Sequence, residues 1–270
     1  MKILLCPNGY TGEQAEQAIV CLSALEKSGH SCALLEADSY KLLGDDCYMR
    51  FAPAESDVIV SLGGDGAVLR AAQTALLYEK PLIGINSGRL GYLCAVNYSD
   101  IGSFDQILTS CEYHRRMILE YDYNDETRYA LNDVVVAKKN FGETVDLSLL
   151  IDKEENTRIR GDGLIISTPT GSTAYNLSAG GPVVSPDAHS FVVTPICSHM
   201  AGAYPIVMGE DRVLSVMMER SCRADLFADG HRIGNIDREV TIRKSSRSLY
   251  LCSKGSFFSN VIRFPCSPGR

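Results

Sequence analysis

The sequence lacks the features that mark membrane, secreted and zinc-binding proteins. No apolar run approaches the ~20 residues that a membrane-spanning helix needs, and the apolar stretch at residues 1–7 is too short for a signal peptide. The 10 cysteines are scattered, without a C-x-x-C pair or a Cys/His cluster at zinc spacing. We therefore predict a cytoplasmic protein with no membrane partner, whose thiols are reduced and mostly buried.

The chain also has no long basic stripe, and its formal net charge is −7. Non-specific binding to nucleic acid is therefore not expected. Neither the G-x-x-x-x-G-K-[ST] P-loop nor the G-x-G-x-x-G dinucleotide fingerprint occurs. A nucleotide would have to be held by another architecture, with help from backbone N–H groups or a bound cation.

The hydrophobic pattern divides the chain into two halves. The first alternates strand and helix patterns, which is typical of a parallel, doubly wound sheet. Its predicted strands are residues 2–8, 31–37, 57–62 and 81–86, and its predicted helices are 12–28 and 67–78. The second half is rich in Val, Ile, Thr and Tyr; its predicted strands are 117–123, 129–138, 145–151, 158–167, 212–219 and 239–251, with one helix over 172–179. We predict an α/β domain with a parallel sheet over 1–112, and a mostly-β, sandwich-like domain over 113–270.

A glycine-rich turn, Gly63-Gly64-Asp65-Gly66, lies between a predicted buried strand and a predicted helix. Glycines let a ligand approach the main chain, and the start of a helix presents free N–H groups to a phosphate. A carboxylate repels phosphates, so its presence here indicates a further role, such as holding a cation or accepting a proton during phosphoryl transfer. The alternative is that Asp65 only caps the helix.

A second unusual segment runs from Gly161 to Pro182. An apolar strand enters a loop dense in hydroxyl groups, and a short helix follows that Gly180-Gly181-Pro182 ends. Thr170, Ser172 and Thr173 at the start of that helix either cap it or bind the sugar and phosphate groups of a ligand.

Four ordered blocks together resemble the NAD kinase family. The blocks are 63–66, Gly84-Ile85-Asn86-Ser87-Gly88-Arg89-Leu90-Gly91-Tyr92-Leu93, Leu131-Asn132-Asp133-Val134 and 161–182. A lone Gly-Gly-Asp-Gly also occurs in lipid kinases of the diacylglycerol type, whereas the 161–182 block is characteristic of NAD kinases. The resemblance implies transfer of the terminal phosphoryl group of ATP to the adenosine ribose 2′-hydroxyl of NAD, giving NADP. It also implies a divalent cation, Mg²⁺ in the family, carried mostly by ATP rather than by a dedicated metal site, and a homodimer or homotetramer.

The resemblance further implies a role for individual residues. Asp65 corresponds to the general base, and Gly63, Gly64 and Gly66 line the phosphate path. The residues that correspond to contacts of NAD are Gly66, Tyr92, Asn132, Asp133, Arg160, Asp162, Thr170, Thr173, Ala174, Tyr175 and Ser178. Tyr92, Asn132 and Asp133 are expected at the adenosine. Arg160 and Asp162 are expected at the nicotinamide ribose, and the residues from Thr170 to Ser178 form the dinucleotide cradle.

Some positions depart from the family pattern or keep a second interpretation. Ala67 stands where the family usually has Thr, Asp133 where it has Glu, and Tyr204 where it often has Arg. Asp229-Gly230 resembles a late Asp-Gly of the family near the active site, but we favour an ordinary hairpin turn. Two other functions stay open: a catalytically silent NAD-binding or sensor protein, and a diacylglycerol-type lipid kinase.

Overall fold

The structure is a computed structural model that describes residues 1–44, 48–88, 91–218, 223–236 and 238–253, without the side chains of 155 and 156. Arg89 and Leu90 of the second family block lie outside the described residues. The described chain groups into two compact units, Met1–Arg115 with 249–253, and Arg116–Ser248. The predicted division at residues 112 and 113 did not include the return of the chain to the first unit. No helix in the described part of the chain is long and apolar enough to cross a membrane.

The first unit is an α/β layer built on a parallel sheet. Its elements are β1 Lys2–Pro7, α1 Gly12–Lys27, β2 Ser31–Leu34, α2 Glu36–Leu43, β3 Val58–Leu62, α3 Asp65–Tyr78, β4 Leu82–Asn86, β5 Val96–Asn97 and α4 Phe104–Ser110. The main strands are parallel in the order β4-β3-β1-β2. All residues of β3 and β4 are buried, as expected for strands covered on both faces. The predicted α/β half with a parallel sheet is confirmed.

Segment 31–37 differs from its prediction, and residues 38–56 had no predicted structure. Strand β2 ends at Leu34 rather than at residue 37, because α2 begins at Glu36. The acidic residues Glu36 and Asp38 lie in the first turn of α2, where the positive end of the helix favours them. The start of this helix had no clear pattern of apolar residues to reveal it.

The second unit is a sandwich of antiparallel sheets. Its elements are β6 Glu112–Tyr123, β7 Glu126–Ala130, β8 Asp133–Lys138, β9 Val145–Ile151, β10 Glu155–Gly161, β11 Gly163–Ser167, α5 Tyr175–Ser178, β12 Ser190–Ile196, β13 Ile206–Gly209, β14 Leu214–Met218, β15 Ala224–Ala228, β16 His231–Ile236 and β17 Glu239–Ser253. One sheet has the order β13-β12-β11-β8-β15-β16, and the other contains β10-β9-β14-β17 with β6 and β7. Apolar side chains from both sheets, such as Val136, Ile166, Leu149 and Val216, share one core. The mostly-β, sandwich-like prediction is confirmed.

Two predicted strands are each broken in the structure where the chain changes sheets. The prediction over 129–138 splits into β7, which pairs with β6, and β8, which pairs with β11. The prediction over 158–167 splits into β10 and β11, since Gly161 pairs with Val145 while Gly163 pairs with Ile196. A continuous apolar pattern cannot show such a transfer, because both sheets bury one face against the same core.

Several strands of the second unit were not predicted from the sequence: β12, β13, β15 and β16. Strand β12 contains Pro195, a residue that argues against a strand interior. Strand β13 is a short, largely exposed edge. Strands β15 and β16 carry the ion pair of Asp225 with Arg232, which interrupts their apolar pattern.

Cys111 and Cys252 are paired in the structure, with their Cα atoms 5.9 Å apart, which is a spacing that a disulfide can bridge. Their separation of 141 residues gave no sign of the pairing. Cys21 and Cys32 are free and buried, in agreement with the prediction, whereas Cys197 is free and exposed.

The turn between β3 and α3 yields a test of local packing. A Cβ on Gly63 would lie 2.7 Å from the Cβ atoms of Ala67 and of Asn8, and φ at Gly63 is +147°. We expect Gly63→Ala to lower the free energy of unfolding by about 1–3 kcal/mol, through overpacking and an unfavourable φ. Chemical denaturation followed by circular dichroism measures the change.

Gly66→Ala is the matched control, because a Cβ at Gly66 meets no atom within 4 Å. Alanine in the first turn of α3 should leave stability unchanged or raise it by about 0.5–1 kcal/mol. Equal stability of the two variants would contradict the packing argument.

Candidate active site

The glycine-rich turn places Asp65 at the beginning of α3. Gly64 is the N-cap residue, and its carbonyl accepts hydrogen bonds from the N–H groups of Ala67 and Val68. The first N–H groups of a helix have no partner inside the helix, so those of Asp65 and Gly66 are available to an anion. Helix α3 has 14 residues, which gives its start a positive dipole end.

The Asp65 carboxylate does not cap α3. Its Oδ2 accepts the N–H of Tyr92 at 2.9 Å, and its Oδ1 accepts the N–H of Leu93 at 2.9 Å. A Cβ on Gly91 would collide with Oδ1, so glycine is required for this approach. The alternative that Asp65 only caps the helix is therefore wrong. Asp65 instead ties the start of α3 to the segment that carries Tyr92, whose ring is largely exposed.

Asn132 and Asp133 lie where the chain passes between the two sheets of the sandwich. Asn132 belongs to the turn before β8, and Asp133 is the first residue of that strand. Both side chains are buried, at 9% and 4% exposure. Oδ1 of Asn132 has no hydrogen-bond partner in the described part of the chain. A buried acceptor without a donor costs free energy, so such an atom is more typical of a binding site than of a core.

Two buried acids share this turn. The carboxylate of Asp229 accepts the backbone N–H groups of Leu131, Asn132 and Asp133. Burial raises the pKa of Asp133 to about 7, and the neighbouring Asp229 adds to the rise. Burial also raises the pKa of Asp229, and its backbone hydrogen bonds oppose that rise. Asp133 therefore gains and loses its proton close to neutral pH.

The hydroxyl groups of the 161–182 segment divide into structural and unpaired ones. Ser167 and Thr168 donate to the carbonyls of Asn132 and Leu131. Ser172 donates to the carbonyl of Pro169 and accepts the N–H of Val184. Oγ1 of Thr170 is buried and has no partner among the described residues. Capping and loop closure therefore explain much of the hydroxyl density, but not Thr170.

The predicted helix over 172–179 is broken. A 3₁₀ turn over Gly171–Thr173 is followed by the short α5, and Ala174 between them has ψ −127°. The fully buried Asn176 donates its amide to the carbonyls of Ser172 and Pro182. A continuous helix would use the Ser172 carbonyl for the N–H of residue 176, so the side chain replaces that bond. Thr173 and Ala174 are half-buried, whereas Tyr175 and Ser178 are exposed.

The structure brings several predicted residues of the second unit together. Burial raises the pKa of Tyr175, and Cys197, Asp162 and Asp133 raise it further, which places these groups near the phenol. Asp162 forms an ion pair with Lys138 at 2.7 Å. Arg160 is exposed and lies 3.7 Å from Asp146. Opposite charges therefore surround the predicted nicotinamide end of the cradle.

Sequence reasoning missed Thr168 and Lys138 in this region, and it named Asp229 as resembling a late family residue near the active site but favoured a hairpin turn there. The hairpin prediction at Asp229-Gly230 is correct, because both residues have positive φ between β15 and β16. The carboxylate of Asp229 nevertheless serves the 131–133 turn as well. The resemblance of Asp229-Gly230 to a late Asp-Gly of the family was the available signal for this position. Lys138 and Thr168 carried no signal, since their partners are distant in the sequence.

The departures from the family pattern occupy different environments. Ala67 is buried against Gly63, and Tyr204 is 73% exposed before β13. Among the described residues, no group of three or more His, Cys, Asp or Glu side chains is arranged to hold a metal ion.

The chain is similar to known proteins over most of its length. Residues 31–116 match the model of the ATP-NAD kinase N-terminal domain, and residues 131–253 match that of the ATP-NAD kinase C-terminal domain. An NAD kinase of Symbiobacterium thermophilum is 40% identical over 219 residues, which is 77% of each chain. An NAD kinase of Acetivibrio thermocellus is 31% identical over 281 residues, covering 97% of this chain and 96% of the relative.

Solved structures give the same result. The crystal structure of an NAD kinase from Archaeoglobus fulgidus in complex with ATP has a TM-score of 0.76 and 29% identity, and the match covers 97% of each chain. The crystal structure of yeast NADH kinase complexed with NADH has a TM-score of 0.81 and 22% identity, covering 99% of this chain and 89% of that one. The second likeness extends the agreement in fold.

The raised pKa of Asp133 predicts how stability depends on pH. Between its ordinary pKa of 3.8 and about 7, the folded protein holds a proton that the unfolded chain releases. The free energy of unfolding that the protonated Asp133 contributes is therefore fully present below about pH 3.8 and is lost as the pH rises through about 7. Asp133→Asn is a neutral mimic, so its melting temperature should rise relative to that of the wild type between about pH 5 and pH 8.

Asp225→Asn is the matched control. The hydrogen bond from Arg232 lowers the pKa of Asp225, so this group does not titrate above about pH 5. The difference in melting temperature between this variant and the wild type should stay constant across the same range. A constant difference for Asp133→Asn as well would contradict a titration of Asp133 near neutral pH.

Proposed function

Because the chain belongs to the NAD kinase family and is an ATP-dependent kinase of NAD, we propose that Asp65 is its general base. Asp65 accepts the proton of the adenosine ribose 2′-hydroxyl as this oxygen attacks the terminal phosphorus of ATP. The bond from that phosphorus to the bridging oxygen of ADP breaks, and the products are ADP and NADP. A ribose hydroxyl is a poor acid, so the carboxylate acts mainly by orienting it and by accepting its proton late.

The hydrogen bonds of Asp65 support this role. Two backbone N–H groups hold its carboxylate in one orientation. Each carboxylate oxygen keeps a further lone pair for a substrate hydroxyl. Positioning and charge stabilisation dominate phosphoryl transfer, so a carboxylate held by main-chain groups suits the task better than a freely rotating one.

The start of α3 is the proposed phosphate site. The N–H groups of Asp65 and Gly66, which have no partner within α3, and the positive end of the helix favour an anion there. Gly63 and Gly64 leave the main chain open to close approach. The related NAD kinase of A. fulgidus was solved in complex with ATP, which supports ATP as the donor. A divalent cation, which we take to be Mg²⁺, would be supplied together with ATP, and its charge would offset part of the charge of the phosphates.

The proposal that this region binds NAD is based on two buried oxygens without partners among the described residues. Asn132 Oδ1 and Thr170 Oγ1 are both buried without a partner among the described residues. Gly171, the residue after Thr170, packs directly against the Asn132 carbonyl, so the two oxygens belong to one region. We assign Asn132 to the adenine, whose amino group can donate to Oδ1, and Asp133 to ribose hydroxyls. Thr170 binds a further polar group of NAD.

The remaining residues complete the proposed cradle. Thr173, Ala174, Tyr175 and Ser178 line it along the broken helix. Arg160 and Asp162 hold the nicotinamide ribose, with Lys138 orienting the Asp162 carboxylate. Tyr92 packs beside the adenine through its exposed ring. A cytoplasmic location and a homodimer or homotetramer stay predictions, and sedimentation of the purified protein tests the oligomeric state.

The alternative functions gain no support. Both family models describe ATP-NAD kinases, and together they cover 31–116 and 131–253. A lipid kinase does not account for the block at 161–182. The hypothesis of a catalytically silent sensor was based on Ala67 and Tyr204, which differ from the usual residues of the family. The proposed mechanism assigns no role to either side chain that the family usually has there.

The general-base assignment predicts the effect of Asp65→Asn. The amide keeps one acceptor and the size of the side chain but cannot take the proton, so turnover should fall about a hundred-fold or more. The assay incubates the protein with NAD, ATP and Mg²⁺ and detects NADP with an NADP-specific dehydrogenase. Asp57→Asn, which alters an exposed acid that also accepts a backbone N–H, should keep turnover within about twofold. Near-normal turnover of Asp65→Asn would contradict the assignment of Asp65 as the general base.

Thr170→Val tests the unpaired hydroxyl. If Thr170 is kept for NAD, its removal should stabilise the substrate-free protein by about 1 kcal/mol and raise KM for NAD several-fold. Thr168→Val is the control, because its hydroxyl donates to the Leu131 carbonyl and accepts the N–H of Gly171. That variant should lose about 1–2 kcal/mol of stability. A loss of stability in Thr170→Val would show that its hydroxyl has a structural partner.

A further inference from the structure

The carboxylate of Asp229 is engaged by the 131–133 turn. Its Oδ2 accepts the N–H of Leu131 at 2.9 Å, and its Oδ1 accepts those of Asn132 at 2.6 Å and Asp133 at 3.4 Å. The N–H of Asp229 in turn donates to the Asp133 carbonyl at 3.0 Å. Asp229 is 7% exposed. One buried side chain therefore bonds to three consecutive residues of the turn.

The other side of the turn is held by the 161–182 segment. Thr168 Oγ1 donates to the Leu131 carbonyl at 2.6 Å, and the N–H of Thr168 donates to the Asn132 carbonyl at 2.9 Å. Gly171 leaves no room for a Cβ beside that carbonyl. The backbone of the turn is thus fixed from two directions, while Asn132 Oδ1 on the same turn has no partner among the described residues.

The change of sheet explains why an acid is needed. Between Ala130 on β7 and Asp133 on β8, the chain leaves one ladder and joins another. The N–H groups at residues 131 and 132 then lack strand partners, and buried N–H groups without acceptors are costly. A carboxylate offers only acceptors, so it can satisfy several N–H groups at once. An amide or a hydroxyl would bring its own donor into the same space.

We propose that Asp229 is a positioning residue for NAD, whose carboxylate holds the 131–133 backbone so that Asn132 and Asp133 present their side chains to the dinucleotide. This proposal rests on the proposed function. Asp229 is 7% exposed and its carboxylate bonds to three backbone N–H groups of the turn, so we assign its action to the turn rather than to the reacting atoms. The hairpin conformation of Asp229-Gly230 places the carboxylate, and the Asp229 side chain then places the turn.

Hydrogen exchange tests the positioning directly. In Asp229→Asn the amide NH₂ group faces N–H donors, so the amides of residues 131–133 should exchange about tenfold faster or more. Asp225→Asn is the control, because Asp225 is a buried acid on β15, the strand before Asp229, and its partner is the Arg232 side chain. Its 131–133 amides should exchange at the wild-type rate. Unchanged exchange in a folded Asp229→Asn protein would overturn the proposal.

Kinetics separate positioning from catalysis. We expect Asp229→Asn to raise KM for NAD about tenfold or more, with kcat and KM for ATP within about threefold of the wild type. Asp225→Asn should leave all three constants unchanged. A large fall in kcat at unchanged KM for NAD would overturn the proposal, because it would make Asp229 a catalytic residue.

Thr168→Val gives a second variant if Asp229→Asn does not fold. It loosens the same turn from the opposite side, so KM for NAD should rise several-fold here too, and an unchanged KM would overturn the proposal. The outcomes also separate the two hypotheses. If the 131–133 amides exchange faster in Asp229→Asn, but the wild type forms no NADP or forms as much as Asp65→Asn does, then the proposed function is wrong and the positioning role stands. If the wild type forms NADP normally and Asp229→Asn has an unchanged KM for NAD, then the positioning role is wrong and the proposed function stands.

Discussion

Backbone N–H groups that leave one sheet before joining another need acceptors, and the second unit depends on how this need is met. At residues 131–133 the acceptor is the Asp229 carboxylate. The same bonds that complete the sandwich also fix the direction of Asn132 and Asp133. A turn satisfied by water alone would leave these side chains free to rotate with it, so the fold and the proposed binding site share one set of hydrogen bonds.

The first unit uses the same chemistry at Asp65. Its carboxylate accepts two backbone N–H groups of the segment after β4, and Gly91 makes this approach possible. In each unit a carboxylate is oriented by main-chain groups rather than by a side-chain cation. Main-chain donors belong to packed elements and lose little conformational entropy when they bind, so the acid is held in place without neutralising its charge.

This arrangement has a cost in stability. Two buried acids, Asp133 and Asp229, lie close enough to influence each other, and burial raises the pKa of both. Unpaired oxygens at Asn132 and Thr170 add to the cost. Core packing from both sheets offsets it, since the cluster around Val136, Ile166 and Leu149 is almost fully buried. Features that weaken a fold while lying together around one loop are typical of a functional site.

The sequence alone predicted the classes of the two halves, most strands and helices, and the residues of both glycine-containing segments. These features are local, since the period of apolar residues and the positions of glycine and proline report on nearby structure. The blocks at 63–66 and 161–182 indicated the family from the sequence alone because their residues lie consecutively in the chain. For the same reason the sequence alone could assign Asp65, Asn132 and Thr170 to a predicted binding site.

Only the tertiary structure decided what those residues contact. It broke the predicted strands at 131–132 and at 162, paired Cys111 with Cys252, and gave Asp65 its partners at 92 and 93. It also revealed Asp229 as the acceptor for a turn almost a hundred residues away in the sequence. Each of these contacts joins distant parts of the chain, and no local pattern of residues encodes which distant group will supply a hydrogen bond.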